Sequence, residues 1–105
     1  MAEIAESGEN CFINQIVLCE LVWVLESAYG YPKKEIADVL DKIMAIRQFV
    51  IESKDLVRQA ISDYRQGKAD LADYLVGRNN HARGCDRTFT FDRALKGNPF
   101  FTVLE

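Results

Sequence analysis

The chain has 105 residues, a formal net charge of −3 and a pI of about 5.2, with 49% hydrophobic and 28% charged residues. This length suits a single small domain over residues 1–105, and the composition excludes an intrinsically disordered chain. The acidic balance argues against non-specific nucleic-acid binding by the whole surface, although a local basic patch remains compatible with it.

The N-terminal half predicts two strands and two full helices. Residues 2–6 suit one helical turn that ends at Gly8, and residues 11–13 form a short apolar strand. Asn14 is a good N-cap for a helix that runs to about residue 29 and ends at Gly30. Pro32 suits the first turn of a second helix, and residues 49–51 form a second strand.

The C-terminal half predicts two more helices and two more strands. Ser53 or Asp55 caps the third helix, and Gly67 ends it. Asp70 opens the fourth helix, which runs to about residue 82, and strands follow at residues 88–91 and 100–104. Strands that alternate with helices predict an α/β fold with a mostly parallel sheet.

The cysteines and the apolar segments indicate where the protein resides. Cys11, Cys19 and Cys85 form no CxxC pair, and an odd count favours a reduced, cytoplasmic protein. The longest apolar run, around Leu18, has about a dozen residues and is too short to cross a membrane. We therefore expect no membrane association.

Glu20 is the most unusual residue, because it interrupts an apolar run over residues 16–25. A buried carboxylate costs several kcal/mol unless it is protonated, paired or bound to a metal. No Lys or Arg occurs before Pro32, so a distant partner or a cation is expected. In the alternative interpretation, Glu20 lies at the rim of the helix and points into water.

Other carboxylates are predicted near the same edge of the sheet. Asp92 directly follows a strand, and Asp70 and Asp73 share a face at the start of a helix. A cluster of these acids with Glu20 would require a hard cation such as Mg²⁺ or Mn²⁺. Each acid also has a structural explanation: Asp70 as an N-cap, Asp73 as a first-turn acid, and Asp92 as the cap of a short helix.

Basic residues are concentrated between residues 78 and 96, where only two acids occur. The group consists of Arg78, Arg83, Arg87, Arg93 and Lys96. Basic residues that flank an acidic pocket suit a phosphodiester substrate, although ordinary ion pairs on a solvated face explain them equally well. His81, the only histidine, is expected at the surface near a helix end.

Three segments together resemble the PIN-domain nucleases, in particular the VapC-type toxins of toxin–antitoxin pairs. They are the apolar helix around Glu20 with Tyr29, the segment of residues 67–73, and residues 84–85 with 90–92. The resemblance implies a three-layer α/β/α sandwich and a metal-dependent endoribonuclease. It places Glu20, Asp73 and Asp92 in a site for Mg²⁺ or Mn²⁺, with Asp70 as a neighbour and Thr90 beside the site.

The same resemblance implies a first strand that ends in Asp, followed by Thr or Ser and Asn and then a helix. No such strand precedes residues 1–3, so we expect a family member truncated at the N-terminus, with one metal-site Asp absent. Because that strand is central in the family's sheet, its absence should expose strand edges and favour a homodimer.

Two functions follow from this interpretation. In the first, the protein hydrolyses RNA with reduced or no activity, and Arg78, Arg83 or Arg93 binds phosphate. In the second, the fold is a non-catalytic module that binds an antitoxin-like helix or its own copy through the surface beside Trp23, Tyr29 and Tyr31. Affinity for Mg²⁺ or Mn²⁺ distinguishes the two.

Overall fold

The structure, a computed structural model, describes residues 10–104. Its strands are β1 (Cys11–Ile13), β2 (Phe49–Ile51), β3 (Thr88–Thr90) and β4 (Phe101–Val103). Its helices are α1 (Gln15–Ser27), α2 (Lys33–Met44), α3 (Lys54–Gln66) and α4 (Leu71–Ala82), and a 3₁₀ turn covers Arg93–Leu95. None of these helices is long and apolar enough to cross a bilayer. The helical turn predicted at residues 2–6 lies outside the described residues.

The strands form two separate two-stranded sheets rather than one. β1 pairs with β2 and β3 pairs with β4, both in parallel. The expected alternation of helices with parallel strands is therefore confirmed as an α/β arrangement. Among residues 10–104, no strand joins the two sheets.

Local signals set most helix ends. Asn14 caps α1, because its Oδ1 accepts a hydrogen bond from the N–H of Val17 at 2.9 Å. The helix ends at Ser27, two residues earlier than expected, and Gly30 takes a left-handed φ of 65° in the turn that follows. Pro32 is the N-cap of α2 rather than its first helical residue.

The core lies among α2, α3 and α4. Among the described residues, seven members of this core have no exposed surface: Ile36, Ala37, Leu40, Val57, Ala60, Tyr64 and Leu71. They recur at helical spacing on their own helices, as the amphipathic pattern predicted. This core holds the helices in a fixed arrangement and thereby positions the first turn of α4.

Tyr64 connects three helices through polar contacts at the border of this core. Its hydroxyl donates to Glu26 Oε1 at 3.0 Å, and the Lys33 ammonium lies 4.7 Å from the centre of its ring. The same Lys33 ammonium donates to the carbonyl of Gly67 at 2.6 Å. The end of α1 is thus tied to α2 and α3.

Close packing fixes α4 against the second sheet. A Cβ atom placed on Gly77 would come within 2.5 Å of the Phe101 ring, so only glycine allows this approach. Asn80 Nδ2 also donates to Thr88 Oγ1 at 2.9 Å. These contacts hold the start of β3 beside the last turns of α4.

Candidate functional site

Two acids shape the start of α4. Asp70 is the N-cap, as its structural explanation predicted, and it forms a capping box with Asp73 three residues later. The Asp70 N–H donates to Asp73 Oδ2 at 3.2 Å. Asp73 is half-buried and Asp70 is exposed. Both carboxylates therefore lie on the first turn, where the helix dipole favours negative charge.

The pKa of the Asp73 carboxyl is shifted by its surroundings. Burial raises the pKa of its carboxyl, and the negative charges of Asp70 and Asp92 raise it further, against the opposing effect of the hydrogen bond from the Asp70 backbone. Burial and then the charge of Asp73 raise the pKa of the Cys19 thiol on α1. Asp73 therefore lies within electrostatic reach of α1 and of the segment that follows β3.

Asp92 lies two residues past the end of β3. Its Oδ1 accepts a hydrogen bond from the N–H of Ala94 at 2.9 Å, so it caps the 3₁₀ turn. Its own N–H donates to Thr90 Oγ1 at 3.1 Å. Asp92 is exposed. The hydrogen bonds to Ala94 and Thr90 nevertheless fix the position of this residue.

Glu20 is exposed, so the expectation of a buried carboxylate was wrong and the alternative of a rim position is confirmed. The physical reason is that α1 buries little of its apolar run. Only Leu18 and Val22 are fully buried on this helix, whereas Ile16 is 68% and Trp23 67% exposed. Glu20 needs no partner in this position, because water solvates its charge.

The donor set agrees in kind with a divalent cation, since carboxylate oxygens are the ligands that Mg²⁺ and Mn²⁺ prefer. The crowding of Asp73 by two other acids is also a charge arrangement that a cation relieves. Within residues 10–104, however, no three ligand side chains form a group that could hold a metal ion.

The three arginines predicted to bind phosphate differ in their contacts. Arg78 forms two hydrogen bonds to Asp63, at 2.8 and 2.9 Å, and its guanidinium lies 4.7 Å from the centre of the Phe100 ring. The ordinary ion-pair explanation therefore holds for Arg78. Arg83 and Arg93 are exposed, and neither side chain contacts an acid of the described chain.

A groove of about 560 Å³ lies between α1 and α4 and is called the α1–α4 groove below. Most of its lining residues come from these two helices at spacings of three and four, and Glu52 after β2 also lines it. The lining residues are Gln15, Ile16, Cys19, Glu20, Trp23, Glu52, Ala72, Leu75, Val76, Asn79, Asn80 and Arg83. The groove therefore combines apolar and polar lining residues in about equal numbers.

The predicted partner surface is only partly continuous with this groove. Trp23 lies on its wall, whereas Tyr29 and Tyr31 follow the end of α1 with their ring centres 6.0 Å apart. The sequence interpretation missed Asn79, whose amide donates to Gln15 Oε1 at 2.6 Å. Nothing in the pattern marked it, because a polar residue late in a helix is ordinarily solvated.

Comparison with known proteins places the chain in a family. No family model and no solved structure matches it. The chain is 30% identical over 101 residues to a VapC ribonuclease of Aquifex aeolicus (strain VF5). This match covers 96% of the chain and 75% of that protein. Because the similarity extends over nearly the whole of this chain, the chain belongs to the VapC ribonuclease family.

Proposed function

We propose that this protein is an endoribonuclease of the VapC toxin type, with a PIN-like fold that acts on single-stranded or looped RNA. The observation that supports this most is the position of Asp73. It shares the first turn of α4 with Asp70 and lies within electrostatic reach of Asp92 past the end of β3. Ligand sites of parallel α/β folds are found at such strand ends.

We assign Asp73 and Asp92 to the acidic site, with Glu20 and Asp70 as further oxygen ligands for Mg²⁺ or Mn²⁺. A bound divalent cation supplies an activated water and neutralises the charge of the phosphodiester. The contribution of the chain is to fix the oxygens. The capping box orients Asp73, and the bonds to Thr90 and Ala94 orient Asp92.

Phosphate binding is assigned to Arg83 and Arg93 ahead of Arg78. A guanidinium binds phosphate oxygens through paired hydrogen bonds, which requires that its donors be available. Arg78 already directs two donors to Asp63. Arg83 lines the α1–α4 groove and is exposed, as is Arg93 next to Asp92. Thr90 acts as a positioning residue for Asp92.

We expect weak cleavage or none from the acids of residues 10–104. Positioning of metal and water is the main contribution of the protein to this chemistry, so an incomplete ligand set reduces the rate strongly. The incomplete grouping of acids within the described part of the chain supports this expectation.

The test is a cleavage assay on a mixed RNA substrate with Mn²⁺, in which the parent chain is compared with Glu20→Gln and Asp92→Asn. The proposal predicts weak cleavage that both substitutions abolish. Cleavage that is indifferent to both would contradict the site assignment. Robust cleavage that both abolish would support the site and contradict the expected weak activity.

A specific observation favours a second candidate, a non-catalytic module that binds an antitoxin-like helix or its own copy. The α1–α4 groove is lined by two helices and includes apolar residues and an exposed Trp23, which suit an amphipathic helix. Calorimetry with Mn²⁺ separates the candidates, because only the catalyst requires the cation. Absence of Mn²⁺ binding together with tight helix binding near Trp23 would favour the module.

The second candidate function includes self-association, because the module can bind its own copy. Exposed strand edges and apolar groups favour a homodimer when no other partner is present. Sedimentation at tens of micromolar tests this, and a stable monomer would contradict the homodimer while leaving helix binding intact.

A further inference from the structure

The loop between α3 and α4, residues 67–70, connects the packed core to the first turn of α4. Gly67 is the C-cap of α3, and its N–H donates to the carbonyl of Asp63 at 2.8 Å. Asp70 caps the N-terminus of α4 and shares a capping box with Asp73. The conformation of this loop therefore determines where both proposed site acids lie.

Contacts from α4 hold the loop close to the turn that carries these acids. The Ala69 N–H donates to the Tyr74 hydroxyl at 3.2 Å, and both residues are buried. A Cβ atom on Gly67 would clash with the same hydroxyl, so glycine is required for this close approach. Tyr74 directly follows Asp73 in the sequence, and the loop is thus packed against the neighbour of a proposed ligand.

Lys33 of α2 binds the same loop from a different helix. Its ammonium donates to the Gly67 carbonyl at 2.6 Å and lies 4.7 Å from the centre of the Tyr64 ring. A carbonyl at a helix C-terminus carries partial negative charge, which favours a cation there. No carboxylate of residues 10–104 lies within ion-pair distance of this half-buried ammonium. Its contacts are instead a carbonyl and an aromatic face.

The charge of Asp70 reaches the region of this contact. Burial of Tyr64 raises the pKa of its hydroxyl, and the hydrogen bond and charge of Glu26 and then the charge of Asp70 raise that pKa further. Glu26 and Asp70 also line one small cavity of about 120 Å³ between α1 and α4. Lys33, Tyr64 and Asp70 thus lie near one another around the loop.

We propose, on the basis of the endoribonuclease function proposed above, that Lys33 is a positioning residue for the Mg²⁺ or Mn²⁺ site on the first turn of α4. By binding the Gly67 carbonyl it fixes the loop, and the loop fixes the carboxylate oxygens of Asp70 and Asp73. Replacement of a residue that holds metal ligands in place typically changes metal affinity by roughly 10–100-fold. Lys33 acts through the backbone of the loop and is not itself a ligand.

The sign of the effect separates positioning from charge. A cation near a metal site repels the metal ion, so loss of the Lys33 charge alone would tighten metal binding. Loss of the contact with the loop weakens binding instead, because the carboxylate oxygens are then spread over several arrangements. Weaker binding after removal of a positive charge is therefore the result that positioning predicts.

The test measures the Mn²⁺ affinity of the full chain by calorimetry, for the parent and for Lys33→Met, which keeps an apolar stem and removes the ammonium. Lys33→Met should bind Mn²⁺ about tenfold more weakly. Lys33→Arg, which retains a cationic donor, should stay within about threefold of the parent.

Two controls separate this role from charge and from general stability. Lys68→Met removes an exposed ammonium from the same loop and should leave the Mn²⁺ affinity within about twofold of the parent. Ile43→Ala weakens the packing of α2 against the core and should leave the affinity of the folded chain unchanged. A loss of affinity in Ile43→Ala as large as that in Lys33→Met would overturn the proposal, because stability alone would then explain both.

Hydrogen exchange without metal tests the loop itself. Lys33→Met should speed exchange of the Ala69 amide by about tenfold or more, and an unchanged rate would overturn the positioning role. A parent chain that binds no Mn²⁺ would overturn the proposed function together with this role. A parent that binds Mn²⁺, with equal or tighter binding by Lys33→Met, would overturn this role alone.

Discussion

The helical and sheet regions of this protein differ in how completely they are packed. Leu40, Val57 and Tyr64 on the helices have no exposed surface, whereas Phe12 in β1 and Phe89 in β3 are 64% and 70% exposed. Parallel strands in folded domains are normally covered on both faces. Helices α2, α3 and α4 thus form a packed core that includes Ile51 and Phe101 of the strands, whereas Phe12 and Phe89 lie outside it.

This difference separates residues that stabilise the chain from residues that are available to a partner. Burial of an apolar side chain contributes about 1.5–3 kcal/mol, so the core residues carry the stability of the isolated chain. Exposed residues such as Phe12 and Trp23 contribute little to it and remain available for binding. The comparison can therefore be tested by alanine substitutions in the two regions.

The largest expected effect is in the core. Leu40→Ala should lower the free energy of unfolding by about 2–5 kcal/mol, because it leaves a cavity among packed helices. The matched substitution Phe12→Ala should change it by less than about 0.5 kcal/mol. Urea denaturation of both variants measures the difference. Equal destabilisation would show that the strands are packed in the free chain.

The next effect concerns two ion pairs of unequal exposure. Arg78→Ala should cost about 1–2 kcal/mol, because it leaves the Asp63 carboxylate without its paired donors. Arg58 and Asp55, 63% and 94% exposed, form the control pair. Arg58→Ala should cost at most about 0.5 kcal/mol. Thermal unfolding that ranks the two variants in reverse would contradict the geometry at Arg78.

The smallest effect is the pH dependence of Asp73. Burial and the charges of Asp70 and Asp92 raise the pKa of this carboxyl in the folded state. The folded chain therefore holds the proton more tightly than the unfolded chain, and stability from this residue is lost as the pH rises through the raised pKa.

Replacement of that charge should stabilise the chain at neutral pH. Without divalent cations, Asp73→Asn should raise the free energy of unfolding at pH 7 by a few tenths of a kcal/mol, and the gain should vanish near pH 3. Asp55→Asn, which removes an exposed first-turn acid from α3, should instead lower it slightly. A stability loss for Asp73→Asn that is constant with pH would indicate that Asp73 affects stability only through its hydrogen bond with the Asp70 N–H, and not through its charge.

Local sequence signals were sufficient for most of the helices and strands. Asn14, Gly67 and Asp70 mark helix ends because capping depends on residues within one turn. The apolar faces of α2 and α3 followed from spacing alone. These features need no information about distant parts of the chain.

The burial of α1 and the pairing of the strands could not be predicted from local sequence signals. The apolar run around Glu20 suggested a buried helix, yet burial depends on which elements pack against it. The division into two sheets also depends on contacts between strands far apart in sequence. The convergence of Asp73 and Asp92 in one pocket stays a prediction, and the Asn79 contact carried no sequence signal.

Native-state hydrogen exchange of the free chain most directly tests the contrast between the buried faces of the helices and the exposed middle residues of β1 and β3. Amides in the middle of α3 and α4 should exchange only through global unfolding, because their hydrogen bonds border the core. The Phe12 and Phe89 amides point away from their partner strands and should exchange close to the rate of an unstructured peptide. Protection of these two amides at the level of α3 and α4 would contradict the account.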